Sequence, residues 1–321
     1  MKDMPHAVDT PLTGLSDREA WLDKVATIAE ETGYLERLGA RHAAILIEEK
    51  PTLLVSFETH DSIERLSEKA QPMGWEMVRA LGWSHLCILG DGDTWFRDRR
   101  VFGFFDRLVD DGFFEDFEQV IFYGAGECGY AAAAFSVAAP GATVIAVQPQ
   151  ASLDPRVAEW DDRFVHMRRT SFTDRYGYAP DMLDAADRAF VLYDPEIELD
   201  AMHAALFTRD NVTKFRMRFM GSPMDESLTR TGILLRILAQ ASAGKLDRVR
   251  LAGLFRARRK DLTYLRTLLK RLESDGRLYL NAVLGQYVMA RRPGPRFRKS
   301  VRAAYDKARE LGRPMPERTV D

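Results

Sequence analysis

Residues 123–135 read YGAGECGYAAAAF, and how this stretch is read decides the fold. It follows the apolar run Val120-Ile121-Phe122 and leads into an alanine-rich segment, so the local order is strand, glycine turn, helix. Three unrelated kinds of site are built that way. One is a dinucleotide cradle, one a nucleophile elbow, and one a cysteine at a helix N-terminus.

Outward from this stretch, strands and helices alternate. SHLCILG (84–90) reads as a buried strand, and QVIFYG (119–124), ATVIAVQPQ (142–150), RAFVLYDP (188–195) and VTKFRMRFMG (212–221) as the strands that follow it. Helices are predicted around 99–111, 128–138 and 199–207. Another starts at a Ser222 cap, with Pro223 at its first position and early Asp225 and Glu226. Such alternation predicts an α/β fold, a mostly parallel sheet sandwiched by helices. Upstream, AAILIEE (43–49) and TLLVSFET (52–59) flank Lys50-Pro51 and predict an antiparallel N-terminal β-hairpin. A first helix is expected after Ser16, with Glu19 completing a capping box. The expected domains are an N-terminal helical segment (1–42), the α/β domain (43–242) and a basic all-helical C-terminal domain (243–321).

The polar start, MKDMPHAVDTPLTG, predicts no secretory signal, and Pro140-Gly141 breaks the longest apolar stretch, which predicts no membrane span. The cysteines are Cys87 and Cys128 alone, which suits a reducing cytoplasm better than a disulfide framework. The net charge of −2 hides an asymmetry: residues 245–321 hold 21 Lys/Arg against 8 Asp/Glu, and the remainder holds 25 against 40. An acidic body with a basic tail can pair within the chain or between copies, so a homo-oligomer is one expectation. RARRK (256–260) and RFRKSVR (296–302) also admit nucleic acid, which the acidic body would repel.

In an open parallel sheet, ligands bind beyond the carboxyl ends of the strands. The loops there supply the candidate ligand-binding residues Gly90, Asp91, Gly92, Asp93 and Trp95; Gly124, Gly126, Glu127 and Gly129; Gln150; and Ser222. Gly124 to Gly129 is a literal G-x-G-x-x-G, yet the next strand ends in Gln148-Pro149-Gln150, where a dinucleotide site would place an acid for the ribose. Cys128, at the start of a helix, is the candidate thiol. The loop carboxylates Asp91, Asp93, Glu127, Asp154 and Asp194 lack an ordered cation-loop spacing, so no metal is predicted.

Over roughly residues 84–225 the chain resembles the α/β-hydrolase superfamily. Its nucleophile elbow commonly reads G-x-S-x-G-G-x-x-A, which lays Gly124 on the first glycine, Gly126 on the serine and Gly129 on the last glycine. Asp194, ending a strand, matches the triad acid. Gly126 has no nucleophile, and the one histidine after Asp194 is His203, inside a predicted helix. The resemblance implies a degenerate elbow, and a non-catalytic module for a small molecule or a protein partner, needing no cofactor. The chain also resembles proteins identified as phosphoadenosine phosphosulfate reductases, through Glu127-Cys128-Gly129 and the GDGDT at 90–94. That likeness implies a thiol- and nucleotide-dependent enzyme using Cys128 and the Gly124–Gly129 loop.

Overall fold

In a computed structural model, which describes residues 7–15, 17–49 and 51–317, the chain forms two compact units, residues 1–254 and 255–321. The first is built on one eight-stranded sheet. Its strands are β1 (Gly33–Arg37), β2 (His42–Ile47), β3 (Thr52–Thr59), β4 (Ser84–Gly90), β5 (Gln119–Ala125), β6 (Thr143–Val147), β7 (Arg188–Tyr193) and β8 (Val212–Arg216). They lie in the order β1-β2-β4-β3-β5-β6-β7-β8. β2 is antiparallel to both its neighbours, and every pairing from β4 to β8 is parallel. The expected mostly parallel, helix-covered sheet is therefore present.

The hairpin is formed by other strands than expected. β2 pairs with β1 and β4, while β3 lies between β4 and β5, so the segments at 43–49 and 52–59 never meet. Both are buried along almost their whole length, the mark of interior strands needing partners on both edges. The true hairpin partner is β1, a half-exposed GYLER with no apolar run to announce it. This strand also ties the segment before residue 43 into the sheet, and the first compact unit extends past residue 242, so the unit boundary differs from both expected ones.

Local starts differ too. Ser16 lies outside the described residues, and the first helix, Arg18–Ala29, is capped by Asp17, whose side chain accepts from the Ala20 N–H at 2.9 Å. Pro223, not Ser222, is the N-cap of the helix Met224–Arg230, and a left-handed Gly232 separates that helix from Ile233–Ser242. The unit at 255–321 is helical as expected, with Leu262–Ser274, Leu278–Met289 and Pro295–Glu310. The last two approach closely at Gly285, where a Cβ would meet Val301 Cγ2 at 2.1 Å. No helix among the described residues is long and apolar enough to cross a membrane.

The helix Glu127–Phe135 lies against β3, β5 and β6, with Ala131 to Phe135 wholly buried. One face of the sheet is filled by aromatic rings. Phe57, Phe105 and Phe135 stack with centroids 4.7–5.9 Å apart, and Phe102 joins them. The phenylalanines around 102–117 thus serve the core, where ring burial dominates packing energy.

What lets this helix sit so low is the absence of side chains. A methyl group at Gly124 would lie 2.0 Å from the Cys128 carbonyl oxygen, and one at Gly129 would lie 2.9 Å from the Val147 oxygen. Gly103, by contrast, has nothing within 4 Å of a Cβ and occupies the interior of the helix Arg99–Asp110. Gly124→Ala is therefore expected to cost about 3 kcal/mol or more, or to abolish soluble expression. Gly103→Ala should gain about 0.5–1 kcal/mol. Urea denaturation of the pair checks both signs.

Candidate functional site

A cavity of about 930 Å³ opens at the carboxyl ends of the strands, where the parallel sheet predicts it. Phe57 to Thr59 of β3, the turn Ala125 to Cys128 after β5, and Gln148 and Gln150 after β6 form its floor. Walls come from the segment 62–79 and from Ser222, Pro223 and the following helices. Trp95 and Gln148 on its lining hold left-handed backbone, with φ of 53° and 47°. Non-glycine residues in that region concentrate at functional sites.

Seven expected residues meet there: Asp93, Trp95, Gly126, Glu127, Cys128, Gln150 and Ser222. Gly90, Asp91 and Gly92 do not line it. Gly90 ends β4 and pairs with His42 and Thr59, while the Asp91 carbonyl accepts from Arg41. Gly124 and Gly129 are packing residues beneath the turn, as their close contacts require.

Gly126 is the elbow itself. Its φ of 62° and ψ of −125° make the sharp reversal from β5 into the helix, and its N–H donates to the Val147 carbonyl at 2.8 Å. Unlike its two neighbouring glycines, it leaves open space, with nothing within 4 Å of a Cβ. The position expected for a nucleophile faces room and carries no side chain.

Asp194 follows β7 as expected, but it is 1% exposed and does not line the cavity. Its carboxylate accepts from the backbone N–H groups of Glu196 at 3.0 Å and Gly221 at 2.9 Å. Backbone amides thus occupy a carboxylate that a hydrolase would direct at histidine. His203 is elsewhere, inside the helix Glu198–Leu206. Its Nδ1 accepts from the Ala151 N–H, so Nε2 carries the proton and donates to Asp161 at 2.9 Å. Arg163 binds Asp161 and also Asp200, which accepts from the Gln148 amide at 2.6 Å. Burial raises the Asp161 pKa, but the bonds from His203 and Arg163 outweigh it and hold the carboxyl low. His203 is a structural member of this network.

Two other carboxyls at the cavity behave oppositely. Burial pushes Glu127 up to about 7, assisted by Asp93 and opposed by a hydrogen bond from the Trp95 N–H. Burial likewise raises Asp225, although Arg65 lies 3.5 Å away. The Cys128 thiol is 6% exposed, and burial followed by the charges of Glu127 and Glu58 raises its pKa well above the ordinary value. The helix N-terminus does not make it a thiolate.

A polar row was missed in the sequence. Ser56 and Glu58 of β3, with His85 and Cys87 of β4, share one face of two adjacent strands. Ser56 donates to Glu58 at 2.6 Å and lies 2.7 Å from His85 Nε2. The signal was present as polar residues spaced by two within otherwise apolar runs, VSFE and SHLC.

No family model matches the chain, and no curated protein matches it in sequence. Among solved structures it is similar to Est1E from Butyrivibrio proteoclasticus, at 14% identity and a TM-score of 0.37 over 64% of this chain and 98% of that one. It is similar to a hyperthermophilic esterase from Pyrobaculum calidifontis, at 11% identity and 0.37 over 74% and 92%. A third likeness is to an uncharacterised protein from Capnocytophaga ochracea, at 14% identity and 0.32 over 84% and 91%. The esterase names belong to those proteins; what this chain shows by itself is an α/β fold with a mostly parallel, helix-covered sheet.

The raised Glu127 carboxyl has a measurable consequence. A carboxyl harder to ionise when folded contributes stability that is full below about 4.5 and lost as pH rises through about 7. Glu127→Gln should remove this fall, worth at most on the order of 3 kcal/mol. Denaturant melts of both proteins between pH 5 and 8, about the window of that titration, check it. An unchanged slope in the variant would contradict the assignment.

Proposed function

We propose that this protein is a non-catalytic α/β-hydrolase-like module that binds a small molecule in the cavity at the elbow. The observation that supports this most is the elbow itself: full nucleophile-turn geometry at Gly126, open space above it, and no hydroxyl or thiol there. The acid and histidine of a triad are equally uncommitted to catalysis, since Asp194 accepts from backbone and His203 serves a buried ion network.

The cavity's electrostatics favour a ligand that donates hydrogen bonds, such as an amine or a polyol. Its arginines are engaged: Arg163 by Asp161 and Asp200, Arg65 by Asp225 and Glu226, Arg79 by Glu76 and the Val8 carbonyl, and Arg230 by Glu226, while Lys69 also lines the wall. Glu127 meets backbone N–H and no cation within ion-pair distance among the described residues. The thiol chemistry implied by Glu127-Cys128-Gly129 draws no support from a buried thiol held protonated.

A thermal-shift panel of amines, polyols, acyl esters, dinucleotides and phosphoadenosine phosphosulfate tests the reading. A ligand at a hundredfold excess over its Kd stabilises by about 2.7 kcal/mol. A shift is expected with amines or polyols, reduced in Glu127→Gln, and no labelling by a fluorophosphonate serine-hydrolase probe. Probe labelling of the wild type, or turnover of an ester lost in Gly126→Ala, would overturn it.

A further inference from the structure

The polar row on β3 and β4 reaches the cavity through Glu58 and otherwise lies within a hydrophobic interior. We infer that Glu58, His85 and Cys87 form a binding site for a borderline divalent metal ion of the zinc class. One ligand atom from each of the three lies within 4.8 Å of the others. Glu58 Oε1 is 3.9 Å from His85 Nε2 and 3.7 Å from Cys87 Sγ. A tetrahedral ion with bonds of about 2.0–2.3 Å spaces its ligand atoms by roughly 3.4–3.7 Å, so the two edges at Glu58 are within a few tenths of an ångström of that spacing and the third closes by about 1 Å at most.

The placement is set by the sheet. Ser56 is the register partner of Cys87, and Glu58 and His85 each follow or precede by two residues on the same face. Three constraints then hold the donors. The Met73 N–H donates to both oxygens of Glu58, at 3.2 and 3.0 Å, orienting the carboxylate as outer-shell donors do in metal sites. The His85 ring packs against Gly74, where a Cβ would come within 2.1 Å of it. The Ser56 hydroxyl, between Glu58 and His85, is placed to take the fourth position or to bond a water there.

Charge supplies the independent reason. Glu58 is deeply buried, with no Lys or Arg within ion-pair distance among the described residues, a setting that costs several kcal/mol for an ionised carboxyl. A carboxylate and a thiolate together carry two negative charges, which one divalent ion cancels, with the thiol and carboxyl protons leaving to solvent as it binds. Oxygen, nitrogen and sulfur donors together select zinc or cobalt over calcium or magnesium. Access runs through the cavity, which Glu58 and Met73 both line. His85 Nδ1 has no partner, so the imidazole lacks outer-shell support and the ion should be removable by chelators.

The test uses the full chain, stripped with a chelator and reloaded with zinc or cobalt(II). Elemental analysis should find one ion per chain, and the cobalt form should show a thiolate charge-transfer band in the near ultraviolet. Glu58→Gln and Cys87→Ser should each lose both, while Cys128→Ser keeps them. Should the core variants fail to fold, the wild type decides alone: zinc should slow alkylation of Cys87 in mild denaturant at least tenfold, reversed by chelator. No bound ion, a band that survives Cys87→Ser, or metal-independent alkylation of Cys87 would overturn the site. None of these results bears on the cavity's affinity for amines or polyols, so the two readings fail separately.

Discussion

The contact on which the unit at 1–254 depends is the one between the end of β5 and the first turn of the helix after it. Gly124 and the Cys128 carbonyl approach so closely that a single methyl group would lie 2.0 Å from that oxygen. The strand can therefore turn straight into a helix that crosses β3 and β6 with its alanines against the sheet. From that crossing follow the position of Phe135 in the aromatic stack and the exposure of the turn to the cavity. Gly124 and Gly129 are obligatory for packing. Gly126 is required only for its backbone angle, and the space above it is unused by the fold. The close packing of strand and helix and the open, sharply turned backbone thus depend on different glycines.

This explains which features were legible in the sequence. Strand β4 was read to the residue, and β5, β6 and β7 were located, since buried parallel strands are continuous apolar runs bounded by turn residues; the half-exposed β8 was placed by its position in the strand–helix alternation. The elbow was legible because three glycines at that spacing have few structural explanations. What failed was pairing. The sequence neighbours β2 and β3 look like a hairpin locally, and only the need of two interior strands for four edges sends β4 between them. Edge strand β1 carries too little apolar signal to be seen.

The site was half legible for a similar reason. Residues on loops after strands, such as Trp95, Glu127 and Gln150, could be found by topology alone. Residues brought in by the segment 62–79, Arg163 from a distant loop and Asp200 from the helix Glu198–Leu206 required the tertiary structure. Glycines also misled: Gly124 and Gly129 read as ligand contacts, yet their lack of side chains serves strand–helix packing. Asp194 is the same lesson in a charged residue, a carboxylate in a catalytic position whose hydrogen bonds go to backbone.

The distribution of charge around the cavity ties these points together. Asp161 and Asp200 share Arg163, and Asp161 is further held by His203, so the ionised Asp161 is stabilised against burial. Glu127 is half-buried at the cavity, with no Lys or Arg within ion-pair distance among the described residues. Its partner is a backbone N–H, which offsets desolvation only in part, and its carboxyl therefore titrates near neutrality.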